Sequence, residues 1–101
     1  MKFIFHIEAE KEFEEAIEYY KDIDLKLGYD FIVEIYKTIK LIMKYPFSWP
    51  IIKGEIRRAL IKRFPYGILY IPYNETIYIL AIMHLNKRPY YWKDRDLKPL
   101  S

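Results

Sequence analysis

The chain has 101 residues, a hydrophobic fraction of 52% and a formal net charge of +3, which together predict a single folded domain over residues 1–101. It contains no cysteine, which excludes a disulfide framework and a thiolate site and fits a reducing compartment. The charge is polarised: residues 1–50 carry a net charge of −3 and residues 51–101 carry +6, with all five arginines in the second half. This asymmetry predicts a face that meets an anionic partner.

A short strand and a helix are predicted at the start of the chain. Phe3, Phe5 and Ile7 alternate with their neighbours, as side chains of a strand do. Apolar residues then recur every three or four positions, which predicts a helix from about residue 9 to residue 21. The many glutamates of this helix are interpreted as a solvated face, and His6 as a structural or surface residue.

A second helix is predicted from about residue 25 to residue 44, with Asp24 as its N-cap and Pro46 just beyond its end. The short connection predicts that the two helices form an antiparallel hairpin. Gly28 lies inside the second helix, where it costs about 1 kcal/mol relative to alanine. Close approach of the two helices is the expected reason for a glycine there.

The second half predicts a proline-bearing loop at residues 45–54 and then three strands, Ile56 to Phe64, Ile68 to Tyr73 and Thr76 to His84. Turn residues join these strands into an antiparallel meander. The last strand is apolar on both faces, so a central position is expected for it. The order β-α-α-β-β-β predicts an α+β fold with the helical hairpin packed on one face of a small, mainly antiparallel sheet. No stretch approaches the roughly 20 apolar residues of a membrane-spanning helix, so no membrane contact is expected.

Strict alternation of side chains along a strand assigns these residues to faces, unless a bulge intervenes. In the first strand of the meander, the two faces would hold Arg57 with Arg63 and Arg58 with Lys62. In the last strand, they would hold Ile77, Ile79, Ala81 and Met83 on one side and Tyr78, Leu80, Ile82 and His84 on the other. The basic, aromatic tail follows, and its aromatic residues 90–92 are expected to pack against residues 46–49 rather than to stack on bases.

Several segments form a pattern when they are taken in order. They are Glu12 to Tyr20, Gly28 with Phe31, Pro46 with Pro50, Ile56-Arg57-Arg58, Lys62 to Tyr70, Ile79 to His84, Arg88-Pro89, Tyr91-Trp92 and Arg95. In this order and spacing they resemble the RelE/ParE superfamily of toxins from type II toxin–antitoxin systems, over nearly the whole chain.

The resemblance implies a cytoplasmic growth inhibitor, of the kind linked to plasmid stabilisation, held in a toxin–antitoxin hetero-oligomer by a cognate antitoxin protein. RelE-like members cut mRNA on the translating ribosome, whereas ParE-like members poison DNA gyrase. The ParE-like branch is favoured, because Gly67 stands where RelE-like nucleases commonly carry an arginine. A third reading is a degenerate toxin that only binds its antitoxin. We expect no cofactor and no metal.

The candidate site residues depend on the branch. Metal-free RNA cleavage needs proton transfer and cations around the phosphate, and histidine suits the proton transfer. If the protein is a nuclease, the expected catalytic residues are His84, Arg88, Tyr91 and Arg58. In either branch the residues expected to bind a partner or a phosphate are Arg57, Arg58, Lys62, Arg63, Arg88 and Arg95. Their alternative role is to pair with helix acids or to keep an edge strand soluble.

Overall fold

The computed structural model describes residues 1–95, which form one five-stranded sheet and two helices. In chain order the elements are β1 (Lys2–Phe5), α1 (Ile7–Ile23), α2 (Leu25–Lys44), β2 (Ile51–Lys53), β3 (Ile56–Leu60), β4 (Tyr66–Tyr73) and β5 (Thr76–His84). The strand order is β1-β5-β4-β3-β2, with β1 parallel to β5 and the other neighbours antiparallel. The predicted α+β class is confirmed. The prediction that residues 45–54 form a loop is wrong for Ile51–Lys53, which form β2, an additional edge strand.

Both helices begin at side-chain caps. His6 Nδ1 accepts a hydrogen bond from the Glu8 backbone N–H at 3.0 Å, and Asp24 Oδ1 accepts one from the Lys26 backbone N–H at 3.0 Å. The predicted cap at Asp24, the bounds of α2 and a structural role for His6 are therefore confirmed. Because His6 caps α1, Ile7 is the first residue of the helix and the prediction that it belongs to the first strand is wrong. Helix α1 is longer than predicted at both ends.

The helical hairpin is closely packed at Gly28. A Cβ atom at this position would overlap Cγ of Lys21 and would lie 3.1 Å from the Lys21 backbone nitrogen. The expected close approach of the two helices is therefore confirmed, and it explains why a glycine is used inside α2.

The main hydrophobic core lies between the hairpin and one face of the sheet, called the helix face. Phe31, Ile35, Ile39 and Ile42 of α2 are fully buried there against β4 and β5. The opposite face carries a smaller cluster made of Leu69, Leu80, Ala81, Met83 and Trp92. Trp92 belongs to residues 85–95, a run of turns that we call the strap, and the face it covers is the strap face. The domain therefore has two apolar layers of unequal size.

Residues 90–92 do not pack where the sequence predicts. Trp92 is buried on the strap face. Trp49, one of its predicted partners, instead packs against the core of the helix face, with its ring edge-on to Tyr70 at 6.5 Å between centroids. The prediction is wrong because the strap crosses to the far side of the sheet.

A β-bulge in β5 changes which of its side chains share a face. Leu69 and Tyr70 are consecutive in β4, but they lie opposite Ala81 and Ile79, so Leu80 has no partner across this pair of strands. The strict alternation predicted for β5 is therefore wrong beyond the bulge. The helix face of β5 holds Ile77, Ile79, Ile82 and His84, and the strap face holds Tyr78, Leu80, Ala81 and Met83.

Candidate functional site

Glu12 of α1 binds groups from two distant parts of the chain. Its Oε1 accepts hydrogen bonds from the Ile82 backbone N–H at 3.0 Å and from Arg95 Nη1 at 2.8 Å. Its Oε2 accepts from Arg95 Nη2 at 2.7 Å and from the Tyr91 hydroxyl at 2.5 Å. The Glu12 and Arg95 side chains are only 17% and 12% exposed. A two-pronged guanidinium–carboxylate contact of this kind is among the stronger side-chain interactions, and we call Glu12, Tyr91 and Arg95 the Glu12 latch.

The Glu12 latch fills a gap at the edge of β5. The pairing of β1 with β5 ends at Phe5 and Ile79, so backbone groups farther along this edge have no neighbouring strand. There the Glu12 carboxylate accepts from the Ile82 N–H, and Arg95 Nη1 donates to the Leu80 carbonyl at 2.9 Å. Buried backbone groups need such partners. The latch therefore continues the hydrogen bonding of the sheet with side chains.

The interpretation of the α1 acids as a solvated face is wrong for Glu12. One signal in the sequence marks it out: Glu12 lies three residues after Ala9 and four before Ala16, both of which are buried. Residues at these spacings are neighbours on a helix surface. Glu12 therefore borders the apolar stripe, whereas Glu14 and Glu15 are exposed.

The latch fixes the protonation of its two strap residues. Burial raises the pKa of Tyr91, and the hydrogen bond to Glu12 raises it further. Burial opposes the charge of Arg95, but its hydrogen bonds with Glu12 and the Glu12 charge outweigh this effect and raise the Arg95 pKa. Tyr91 is thus held as a neutral hydrogen-bond donor and Arg95 as a cation, and both point at the same carboxylate.

Arg57 lies on the helix face and holds the proline-bearing loop. Its Nη1 donates to the backbone carbonyls of Phe47 at 3.1 Å and Trp49 at 2.6 Å, and its guanidinium lies 5.2 Å from the centre of the Phe47 ring. The Tyr70 hydroxyl donates to the Pro46 carbonyl at 2.8 Å in the same region. The guanidinium of Arg57 is therefore engaged with its own chain.

Strand β3 ends at Leu60, so Lys62 and Arg63 lie in the following loop and not on the predicted strand. The prediction that Arg57 and Arg63 share a strand face is wrong for this reason. Arg63 has a φ of +71°, and its Nη1 lies 3.3 Å from Asp30 Oδ2 of α2. This ion pair is the alternative role that the sequence predicted for the arginines, namely pairing with an acidic residue of a helix.

Arg58 lies on the strap face beside Gly67. It pairs with Leu69 across β3 and β4, and a Cβ atom at Gly67 would lie 3.3 Å from Arg58 Cγ and 3.4 Å from its Cδ. An arginine side chain at position 67 would therefore start next to the stem of Arg58. In this chain that stem covers the glycine backbone instead.

Four cations from two segments line a depression of about 680 Å³ together with Tyr90 and Tyr91. They are Lys53 of β2 and Lys87, Arg88 and Lys93 of the strap. Lys53 Nζ lies 4.9 Å from the centre of the Tyr90 ring, a cation–π contact that joins the two segments. Asp94 is the one acidic residue in the lining described for this depression, which we call the basic basin. Of the six cations that the sequence predicts to bind a partner or a phosphate, Arg88 is the one found in the lining described for the basic basin.

His84 lies in a different cleft, of about 200 Å³, on the helix face. Its Nδ1 accepts a hydrogen bond from the Asn86 backbone N–H at 3.0 Å, so the neutral ring carries its proton on Nε2. The Tyr66 ring stands edge-on to it at 5.0 Å between centroids, and burial raises the pKa of Tyr66 to about 12. Glu12, Glu15 and Lys87 also line this cleft, and Lys87 lines the basic basin as well. The surroundings of His84 are therefore aromatic and charged, with two carboxylates and one ammonium group.

The residues predicted for catalysis do not all lie on one face of the sheet. His84 and Arg58 lie on opposite faces, whereas Tyr91, whose hydroxyl is bound to Glu12, and Arg88 both line the basic basin. Among residues 1–95, no three histidine, aspartate or glutamate side chains are grouped so that they could hold a metal ion. The catalytic roles stay a prediction, and what the structure does assemble is a cationic surface.

No protein-family model matches the chain, and no curated protein is significantly similar to it. The resemblance to RelE/ParE toxins therefore stays a prediction from the sequence. In the part of the chain that the structure describes, neither helix combines the length and apolar character needed to cross a membrane.

Proposed function

We propose that this chain is the toxin of a type II toxin–antitoxin system and that it inhibits growth in the ParE-like manner, by binding DNA gyrase. The observation that carries the choice of branch is the separation of His84 from Arg58 on opposite faces of the sheet. Cleavage of RNA requires the proton-transfer group and the phosphate-binding cation to reach the same phosphate. An arrangement that keeps them apart favours action through protein contact.

The basic basin supports a protein partner of opposite charge. Lys53, Lys87, Arg88 and Lys93 gather positive charge on one surface, although the chain as a whole has a net charge of only +3. Complementary charge steers association and selects partners. An acidic segment of a cognate antitoxin, which neutralises the toxin in a hetero-oligomer, fits this surface.

One observation favours the RelE-like alternative. Arg88 is exposed in the basic basin with three lysines, and such a group could hold the phosphates of mRNA on the translating ribosome. In that case a general base other than Tyr91 would have to act, because the Tyr91 hydroxyl is bound to Glu12.

The test compares three readouts for the chain expressed alone and with the product of the adjacent antitoxin gene. We expect growth arrest that the antitoxin relieves, loss of supercoiling by purified gyrase, and no new cuts in translated mRNA by primer extension. A His84→Gln variant should remain toxic, because inhibition through protein contact requires no proton transfer by His84.

Each contrary outcome points to another function. Cuts in translated mRNA with intact supercoiling would establish the nuclease branch, and loss of toxicity in His84→Gln would support it. Harmless expression without antitoxin would leave a protein that only binds its antitoxin.

A further inference from the structure

The strap carries three of the four cations of the basic basin, yet few backbone contacts attach it to the rest of the domain. Its backbone-to-backbone hydrogen bonds join residues three positions apart, with one exception within the described chain: the Leu85 N–H donates to the Pro65 carbonyl at 2.9 Å. The strap therefore forms no ladder with the sheet. Its docking depends on side chains, namely Trp92 in the strap-face cluster and Tyr91 and Arg95 at Glu12.

We propose that Glu12 is a positioning residue that assembles the basic basin into a docking site for an acidic polypeptide segment. Glu12 does not line the basin. It acts by holding the strap against β5, which brings Lys87, Arg88 and Lys93 beside Lys53 of β2. The identification of the segment as part of an antitoxin rests on the proposed function, but the site itself does not.

The basin fits an acidic polypeptide better than a single-stranded nucleic acid. Three of its four cations are lysines, which act as point charges, whereas phosphate recognition favours the two-pronged fork of arginine. Nucleic-acid sites also present open aromatic faces on which bases stack. Here the Tyr90 ring is already in contact with the Lys53 ammonium group at 4.9 Å. Carboxylates spaced along a flexible chain need no such platform.

The proposal predicts an effect opposite in sign to simple electrostatics. Replacing Glu12 by glutamine removes one negative charge, and long-range attraction alone would then strengthen the binding of any polyanion. If Glu12 holds the strap, the same change releases Arg95 and Tyr91 and disperses the cations. Binding of the acidic segment should therefore weaken.

The experiment measures the binding of a fluorescent oligoglutamate peptide by anisotropy at low salt. We expect Glu12→Gln to weaken binding about tenfold, and we expect Glu14→Gln to bind as the parent does or slightly more tightly. Glu14 is an exposed residue of the same helix, so the control makes the same charge change without touching the latch. Hydrogen exchange should show faster exchange at the Ile82 amide and in the strap, with α2 still protected.

A milder variant covers the case in which Glu12→Gln fails to fold. Tyr91→Phe keeps the ring and every charge and removes one hydrogen bond to Glu12, so we expect a twofold to fivefold loss of oligoglutamate binding, on the order of one weak hydrogen bond. Unchanged or tighter binding in Glu12→Gln, or in Tyr91→Phe where Glu12→Gln does not fold, would overturn the proposal. Tighter binding of a single-stranded RNA than of oligoglutamate with equal charge would overturn the choice of ligand.

The outcome of this experiment is independent of the outcome of the test of the proposed function. A toxin that inhibits gyrase, but whose Glu12→Gln variant binds oligoglutamate normally, would remove the positioning role and keep the function. A harmless protein whose Glu12→Gln variant loses oligoglutamate binding would remove the function and keep the site.

Discussion

The two faces of the sheet are stabilised in different ways. On the helix face, α1 and α2 bury a continuous layer in which aromatic rings meet edge to face, for example Tyr20 and Phe64 at 4.8 Å and Phe31 and Phe64 at 5.1 Å. On the strap face, a run of turns covers a much smaller cluster, with Trp92 as its anchor and the carboxylate of Glu12 as its polar attachment.

Because of this difference, the helix face mainly stabilises the domain, whereas the strap face mainly arranges residues at the surface. The free energy of burial scales with the apolar area removed from water, so most of it comes from the helix face. Segments with few buried contacts open at a lower free energy than the core does. The strap face therefore suits a binding surface, because its arrangement can change without unfolding the domain.

The largest effect is expected for Phe31→Ala on the helix face. Phe31 is fully buried and contacts four aromatic rings, so its truncation should lower the free energy of unfolding by about 4 kcal/mol, as measured in urea. The control is Tyr29→Ala on the same helix, which is 61% exposed and should cost less than about 0.5 kcal/mol. Similar losses for the two variants would refute the assignment of the core to this face.

The next effect is expected for Trp92→Ala on the strap face. Trp92 is buried, and its removal should cost about 3 kcal/mol, at the low end for a buried tryptophan because its cluster is small. Trp49 is the only other tryptophan and reports the unfolding of the remaining domain. We expect hydrogen exchange to speed up throughout the strap and to stay slow in α2. A uniform loss of protection would show that the two faces unfold as one unit.

The helix face follows from local pattern, which is why most of it was predictable. The period of apolar residues and the Asp24 cap determine α2, and both are properties of neighbouring residues. The close approach at Gly28 was predictable for the same reason. The ends of β1 and α1 were not, because the His6 cap competes with the strand pattern of Ile7.

The strap face and the candidate site depend on contacts between residues far apart in the chain. Glu12 is separated by 70 residues from Ile82 and by 83 from Arg95, and no local pattern encodes such a pairing. The bulge at Leu80 likewise depends on the pairing of β5 with β4, and it moved His84 to the face opposite Arg58. The cationic character of the second half was predictable from composition. Which of these cations come together was not predictable, because only the folded chain brings Lys53 of β2 beside the strap.

The third and smallest effect is a loss of stability at alkaline pH. It distinguishes the contribution of a tyrosine buried on the helix face from that of the tyrosine in the Glu12 latch. Tyr70 is fully buried on the helix face, and burial raises its pKa to about 12, with the charge of Arg57 opposing the shift. Unfolded tyrosine releases its proton near pH 10. Between about pH 10 and pH 12 the unfolded state therefore binds fewer protons than the folded state, so the free energy of unfolding falls as pH rises.

For Tyr70 the loss should reach about 2 kcal/mol by pH 12, because one pKa unit corresponds to about 1.4 kcal/mol. Stability at pH 7 to 9 should show no such slope. Tyr70→Phe keeps the ring, so urea unfolding measured across this pH range should lose this part of the dependence. The parts due to Tyr20, Tyr66 and Tyr91, whose pKa values are also raised, remain. Burial and the hydrogen bond to Glu12 both raise the Tyr91 pKa. The Tyr66 pKa is raised mainly by burial, and the Glu12 charge adds to that shift. Glu12→Gln should therefore reduce the remaining part without altering the contribution of Tyr70. An equal reduction of both contributions would mean that the latch also supports the helix face, and the two faces would then not be independent.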